Sequence, residues 1–203
     1  MQTGIFKNVT PNAKLALVNN RLGNPGLKKN QGSSVEIWDY INVSGTIGTA
    51  QTIRFFENVN TKQLPFTNIQ QNQLQVGEAL AIEYIAFTRV ATDKNNGVLC
   101  TQQALVNVTG LALSQFSFLL DNSRIIKNNS LTRTNPLFNT KGQTASNSLF
   151  YPDTDLTLPP QISFTGELTI PINCDKIGTE ETEVYYGIHL FGTGAILNLK
   201  ANV

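Results

Sequence analysis

The sequence predicts an all-β protein, folded as one sandwich or barrel of about eight to ten antiparallel strands. Apolar and polar residues alternate over most of the chain, which is the period of a β-strand. Clusters of Asn, Gly and Pro separate the alternating runs, as turns require. No segment shows a helical pattern of comparable strength. At 203 residues the chain can bury a core of its own without the help of disulfides.

The longest predicted strand covers residues 73–90. Its central residues are apolar on both parities, which indicates a strand that is covered on both faces. Glu83 and Arg89 share one face of this strand but are too far apart to touch. Arg54, on a neighbouring predicted strand, is placed to form a cross-strand pair with Glu83.

Turn signals divide the rest of the chain into shorter strands. These are, in order, 35–43, 49–57, 98–108, 124–126, 137–138, 149–151, 161–172, 183–191 and 195–199. The run 111–120 changes phase, which predicts either a β-bulge or a short helix. Residues 93–97 form the strongest turn, the segment 63–68 is an edge or a loop because of Pro65, and 192–194 are a hairpin turn.

Three of these strands have clear faces. In 35–43 the inward parity is apolar except for Asp39, and Trp38 and Tyr40 lie on the opposite face. In 161–172 one face is apolar from Ile162 to Ile172 and is expected to face the core, and the other face is expected to be exposed to solvent. In 183–191 the inward residues are Val184, Tyr186, Ile188 and Leu190.

The composition narrows the function classes. The charged fraction is 14% and the net charge is +1, which argues against a dedicated nucleic-acid binder. We expect no signal peptide and no membrane span, since no apolar run is long enough. Cys100 and Cys174 are far apart in sequence, a pattern that favours isolated thiols over a disulfide framework.

Residues 1–34 differ from the rest because they contain four lysines (Lys7, Lys14, Lys28 and Lys29), one arginine (Arg21) and no acidic residue. We therefore divide the chain into an extended basic N-terminal arm, 1–34, and a β-sandwich domain, 35–203. The arm is expected to become ordered on a neighbouring molecule and to meet phosphate or an acidic face of another subunit. The alternative is an ordinary surface segment that leads into the first strand.

No catalytic, cofactor or metal residues are predicted, and we expect the protein not to be an enzyme. His189 is the only histidine, and it lies on the parity opposite the inward residues of its strand. It is therefore interpreted as a surface or interface histidine. No Gly-x-Ser-x-Gly elbow is present, and one histidine with two distant cysteines cannot form a zinc site of the usual spacing.

Two acidic groups leave alternatives open. Asp153 and Asp155 could bind calcium together with backbone oxygens, or they could simply support a turn. Glu180, Glu181 and Glu183 are interpreted either as a solvated loop or as partners for the basic arm of a neighbouring copy.

Four segments resemble structural proteins of icosahedral bacteriophages, and the resemblance of the pattern that they belong to extends over about half of the chain. They are 52–59 (TIRFFENV), 64–68 (LPFTN), 74–82 (LQVGEALAI) and 185–194 (YYGIHLFGTG). The similarity is a strand, an Asn-rich turn, a Pro-containing edge, a long strand and a late aromatic strand. It implies a jelly roll, with eight strands in two facing sheets, and it implies no catalytic residues.

The resemblance implies a virion structural protein that assembles with copies of itself, as a homo-oligomer, and with other virion proteins. Many double jelly-roll shell proteins are longer than this chain, so a shell, penton or minor capsid role remains open. The protein would be made in the host cytoplasm and reside in the virion, with the basic arm facing the genome or a neighbour.

The alternative function is a carbohydrate-binding module on the same kind of sandwich. Calcium at Asp153 and Asp155 would support it. Its aromatic platform would be drawn from Trp38, Tyr40, Phe150 and Tyr151.

Overall fold

The computed structural model describes residues 33–95, 97, 99–134, 148–196 and 199–200. The predicted basic arm, apart from its last two residues, and the predicted strand at 137–138 lie outside this range. The described strands are β1 Ser33–Asn42, β2 Gln51–Phe55, β3 Ala79–Asp93, β4 Leu99–Ala104, β5 Gln115–Leu120, β6 Ser123–Ser130, β7 Leu149–Phe150, β8 Leu156–Leu158, β9 Phe164–Ile170 and β10 Glu181–Ala195.

Helical structure in the described ranges is limited to short 3-10 turns. These are Ser44–Thr46, Val59–Thr61, Leu105–Asn107, Leu111–Leu113 and Leu131–Thr134. None of the helices described is long and apolar enough to span a membrane.

The strand pairs are nested in the sequence: strands near its two ends pair with each other, and strands nearer its middle pair inside them. β1 pairs with β10, β2 with β9, β3 with β7 and β8, and β5 with β6, and every pair is antiparallel. This nesting produces a six-stranded sheet of order β1-β10-β3-β4, with β7 and β8 also on β3, and a four-stranded sheet of order β2-β9-β5-β6. It is the strand order of a jelly roll. The predicted all-β, jelly-roll-like sandwich is confirmed.

The core lies between the two sheets and is rich in aromatic rings. Phe87 of the six-stranded sheet lies 6.3 Å from Phe55 and 5.0 Å from Phe116 of the facing sheet, measured between ring centroids. Both partners are almost fully buried. Since each buried ring removes about 150–250 Å² from water, these contacts fill the space between the sheets.

β3 is buried on both faces along most of its length, as its sequence predicts. It begins at Ala79 and not at residue 73, because the preceding residues make only isolated bridges at Gln73 and Leu74. A register shift opposite Phe191 and Gly192 changes which parity of β3 faces the core.

The register shift corrects the predicted faces of Glu83 and Arg89. Leu80 and Ile82 belong to the core before it, and Ile85 and Phe87 belong to the core after it. Glu83 and Arg89 therefore lie on opposite faces and not on one.

The end of β10 also differs from the prediction. β10 continues to Ala195, so residues 192–194 are strand and not a hairpin turn.

Gly192 is needed at the register shift between the paired strands β10 and β3. A Cβ atom at this position would lie 1.9 Å from the carbonyl oxygen of Ala81. Only glycine therefore allows the two backbones to approach so closely.

The predicted Arg54–Glu83 pair is wrong, because β2 lies in the four-stranded sheet and β3 in the other one. Arg54 instead forms ion pairs with Glu57, at 3.3 Å, and with Glu167 of β9, at 3.1 Å. Glu83 accepts a hydrogen bond from Thr193 of β10.

Several strand boundaries also differ from the prediction. The run 111–120 contains both proposed features, a short 3-10 helix and then β5, whose register shifts against β6. β8 occupies a segment predicted as loop. Of the strand predicted at 195–199, Ala195 is the last residue of β10 and Leu199 makes an isolated bridge to Ile69, while residues 197–198 lie outside the described ranges. Ile172, predicted to face inward, is 60% exposed because β9 ends before it.

The outer edge of β1 is covered by the segment 65–68. The Tyr40 N–H donates to the carbonyl of Phe66, at 2.8 Å. The Asn68 side chain accepts from the Trp38 N–H, at 3.0 Å, and donates to the carbonyl of Glu36, at 2.8 Å. An amide side chain thus replaces a neighbouring strand, which protects this edge from pairing with other chains. Pro65 lies beside the edge, as predicted.

Candidate functional site

The outward side of the six-stranded sheet carries a row of aromatic rings, called here the aromatic face. Ring centroids are 6.5 Å apart between Trp38 and His189, 6.0 Å between His189 and Phe191, and 4.6 Å between Phe191 and Tyr84. Tyr151 continues the row, 5.7 Å from Tyr84. Cross-strand aromatic neighbours of this kind stabilise a sheet face.

His189 lies within this row and is only 9% exposed. Its Nδ1 is 2.6 Å from a carboxylate oxygen of Glu36, and its Nε2 is 2.8 Å from the hydroxyl of Tyr40. The Thr88 hydroxyl is 3.2 Å from the same Nε2. His189 lies on the predicted face, but the interpretation as a surface histidine is wrong, because neighbouring rings cover that face too; the interface interpretation stays a prediction.

The groups around His189 allow one hydrogen-bond arrangement in which each ring nitrogen has a partner. Burial raises the pKa of Tyr40, with opposition from its hydrogen bond to Thr88, so the phenol stays protonated at neutral pH. The phenol can then donate to Nε2 while the Nδ1–H donates to Glu36. The imidazole thereby joins a carboxylate of β1 to hydroxyls of β1 and β3.

A second feature is an open cleft of about 1080 Å³, called here the amide cleft. It is lined by Phe56, Asn58, Val59, Asn60, Gln63, Gln70, Gln71, Asn72, Gln73, Leu199 and Lys200. Seven of these residues carry carboxamides. Five of the carboxamides, those of Asn58, Asn60, Gln63, Gln70 and Asn72, make no side-chain hydrogen bond within the described part of the chain.

A buried carboxylate holds one wall of the amide cleft. Asp39 is fully buried and accepts hydrogen bonds from the Lys62 ammonium, at 2.7 and 2.8 Å, and from the Phe56 N–H, at 2.7 Å. Burial raises the pKa of Asp39, with opposition from Lys62. Asp39 was the exception in the apolar parity of β1, and this network explains it.

Two residues in this wall of the amide cleft have backbone conformations that are rare for residues other than glycine. Phe56 and Asn58 have φ angles of 67° and 53°, in the left-handed region. Such residues cost about 1–3 kcal/mol each unless the surrounding structure fixes them. Lys200 adds further bonds, because its ammonium donates to the carbonyls of Val59, at 2.6 Å, and of Lys62.

A third network is buried at the end of β3. Arg89 Nε donates to Asp175 at 2.7 Å, and its terminal nitrogens donate to Glu181 at 3.0 and 2.7 Å. The Tyr186 hydroxyl donates to Asp175 and Asn173, at 3.0 and 2.9 Å. These bonds tie the loop before β10 to β3. Asp175 was not predicted as a partner of Arg89, although an arginine on a core parity indicates that carboxylates must surround it.

The predicted acidic cluster is therefore only partly solvated. Glu181 is bound to Arg89, and Glu183 accepts hydrogen bonds from Tyr185, at 2.6 Å, and from Asn42, at 3.1 Å. Glu180 is exposed.

Asp153 and Asp155 are both exposed, and Asp153 is ion-paired with Arg133 at 2.9 Å. Within the described ranges no group of three or more His, Cys, Asp or Glu residues is placed to hold a metal ion. Cys174 is a free, exposed cysteine. The side chain of Cys100 lies outside the description.

The predicted aromatic platform is divided by the sandwich. Trp38 and Tyr40 lie on the aromatic face, and Tyr151 reaches the same row. Phe150 instead lies in the core, 3% exposed, with its ring 4.8 Å from that of Phe116. The single four-residue platform is therefore wrong, because adjacent residues of a strand point to opposite sides.

Comparison of the sequence with protein-family models and with curated proteins finds no match. The class that the fold defines is a single jelly-roll β-sandwich with a hydrophobic core between its two sheets. Its candidate sites are the aromatic face and the amide cleft, and both lie on the surface.

Proposed function

We propose that this protein is a non-enzymatic structural component of a bacteriophage virion, which assembles with copies of itself and with other virion proteins into an icosahedral capsid. The observation that carries the proposal is the nested strand order, since jelly rolls of this order build viral capsids. The four phage-like segments support it. Lectins and cupins share the architecture, so the surfaces must discriminate between these classes.

The filled core favours a role for the outer surfaces. Half-buried aromatic residues such as Trp38, Tyr84 and Phe191 occupy the aromatic face. Leu113 and Val76 are each 75% exposed in the connections. Aromatic residues are enriched where protein surfaces meet, and large exposed apolar side chains favour burial by a partner.

The edges of the sheets favour contacts through faces and loops. The β1 edge is already covered by 65–68, so a neighbour is not expected to add a strand there. Among the described strands β6 has a partner on one side only, and most of its residues are exposed. The arm of residues 1–34 is proposed to become ordered on a neighbour or to face the genome.

The first test is the solution mass of the purified protein, measured by light scattering over a concentration series. We expect a discrete closed oligomer, such as a trimer, a pentamer or a larger shell. A protein that stays monomeric, alone and when mixed with the other structural proteins of its virion, would contradict the proposal.

Deletion of residues 2–30 tests the arm separately. We expect the shortened protein to keep its thermal unfolding transition and to lose assembly. The matched control is Thr52→Ala on the exposed side of the four-stranded sheet, which should assemble normally. If the shortened protein assembles as well as the full chain, the arm has no role in assembly.

A further inference from the structure

We propose that the amide cleft binds a neutral oligosaccharide chain. The inference is independent of the capsid role and begins with the side chains that line the cleft. Each carboxamide offers one acceptor oxygen and two N–H donors. Five of those in the cleft make no side-chain hydrogen bond to the described residues, so no described group competes with a ligand for their donors and acceptors. Sugar hydroxyls also donate and accept, and they match this lining.

The charge of the lining selects a neutral ligand. Lys200 is the only ionisable residue among the described lining residues. Its ammonium donates to the carbonyls of Val59 and Lys62, which form the wall itself. The cation is therefore engaged by the protein, and the groups that the cleft presents to a ligand are uncharged amides.

The floor of the cleft favours a sugar over a peptide. Docked protein segments depend on apolar anchors that fill pockets. Of the three apolar lining residues, Phe56 and Val59 are 0% and 2% exposed, and Leu199 is partly buried against the same core, so the lining offers little apolar contact area. A ligand held mostly by hydrogen bonds fits this surface better than a ligand held by apolar side chains.

The wall is fixed before any ligand arrives. Asp39 accepts a hydrogen bond from the Phe56 N–H and is itself paired with Lys62, and the Lys200 ammonium donates to the carbonyl of Val59. A fixed wall lowers the entropy lost on binding. The volume of about 1080 Å³ exceeds the range of about 300–1,000 Å³ that is usual for small-molecule sites. It leaves room for several sugar rings in a chain.

The test uses the full-length protein and a panel of neutral oligosaccharides: maltotetraose, cellotetraose, mannotetraose and N-acetylchitotetraose. Saturation-transfer NMR detects binding, and calorimetry gives the Kd. The cleft variant combines Gln63→Ala with Asn72→Ala, because neither side chain bonds to the described chain and the fold should not change. The control variant combines Gln102→Ala with Gln103→Ala, two exposed carboxamides on β4.

We expect saturable binding of at least one member of the panel and a Kd about tenfold weaker in the cleft variant, as the loss of two hydrogen bonds implies. The control variant should bind like the native protein. Absence of saturable binding to every member of the panel would overturn the proposal. Binding that survives in the cleft variant but is lost with Trp38→Ala would also overturn it, since the site would then be the aromatic face.

Discussion

The two outer faces of this sandwich differ in chemistry although one chain builds both. The aromatic face joins Trp38, His189 and Phe191 in a row with bonds to Glu36 and Tyr40. The outward side of the four-stranded sheet, called here the polar face, carries threonines and an Arg–Glu–Arg arrangement. Its members are Thr52, Arg54, Arg124, Thr165, Glu167 and Thr169.

The difference shows that side chains on the outward side of a sheet are not always exposed to solvent. On the polar face Arg54 and Arg124 have side chains 56% and 51% exposed, and both reach Glu167 between them. On the aromatic face the rings cover one another, and His189 is as buried as many core residues. The aromatic face should therefore tolerate substitution poorly, and the polar face should depend on salt.

The largest effect is expected from Gly187→Val, which places a side chain under the aromatic face. A Cβ at Gly187 would lie 2.4 Å from the Tyr40 ring and 2.9 Å from the Thr88 hydroxyl. The ring must move and its bond to His189 must break, at a cost of about 3 kcal/mol in unfolding free energy. Urea denaturation measures the loss. Thr165→Val on the polar face is the control, and equal losses in the two variants would contradict the contrast between the faces.

The next effect is expected from His189→Ala, which removes the ring that links Glu36, Tyr40 and Thr88. We expect a loss of about 2 kcal/mol, from unmade hydrogen bonds and from lost ring contacts. His189→Gln keeps part of the hydrogen bonding and should recover part of the stability. If both variants lose the same amount, the hydrogen bonds contribute nothing and only the ring matters.

Alkaline pH should act on the six-stranded sheet, whose tyrosines include Tyr186 in the core, where burial and the nearby charge of Asp175 raise the pKa as well. Burial, followed by the hydrogen bond to Glu183 and its charge, raises the pKa of Tyr185 to about 12, and burial also raises the pKa of Tyr40 and Tyr84. A raised pKa stabilises the fold below the unfolded value of about 10 and loses that contribution as the pH rises toward 12.

Denaturation at pH 9 to 12, with the tyrosinate absorbance followed in parallel, tests this prediction. The slope of stability against pH should be smaller in Tyr185→Phe. The strands of the polar face contain no tyrosine and should add nothing to the slope. A stability that stays constant up to pH 12 would contradict the assigned shifts.

The smallest effect is expected from Glu167→Gln on the polar face. It breaks ion pairs of 3.1 and 2.9 Å between a carboxylate whose side chain is only 6% exposed and two half-exposed arginines, so the cost should be about 1 kcal/mol at low salt. Near 1 M salt the cost should decrease, because the arginine charges are screened, but it should not vanish, because the carboxylate is buried. The cost of His189→Ala should not change with salt. A salt-independent cost at Glu167 would contradict the contrast between the faces.

Alternation in the sequence was enough to assign the faces of β1 and β10, but not those of β3, where a register shift changes the parity. The inward positions of β10, from Val184 to Leu190, are all essentially buried, and Trp38 and Tyr40 lie opposite the core parity of β1. Alternation could not show whether the second face is covered. That depends on rings brought together from three strands, which is why the exposure predicted for His189 failed.

Pairing of strands was less predictable than their faces. Arg54 and Glu83 lie on successive predicted strands, yet the jelly roll places successive strands in different sheets. The amide cleft gave no signal either, because its walls come from a turn after β2, the loop before β3 and residues near Lys200. Only the nested fold brings these segments together.

The position of β10 has a consequence for biosynthesis. β10 is the last of the described strands, yet it lies between β1 and β3 and contacts both along most of its length. At about 5–20 residues per second, a ribosome completes β3 several seconds before β10 emerges. During that interval the aromatic side chains of β1 and β3 have no strand between them. Nascent chains should therefore depend on chaperones that hold them until the last strand arrives.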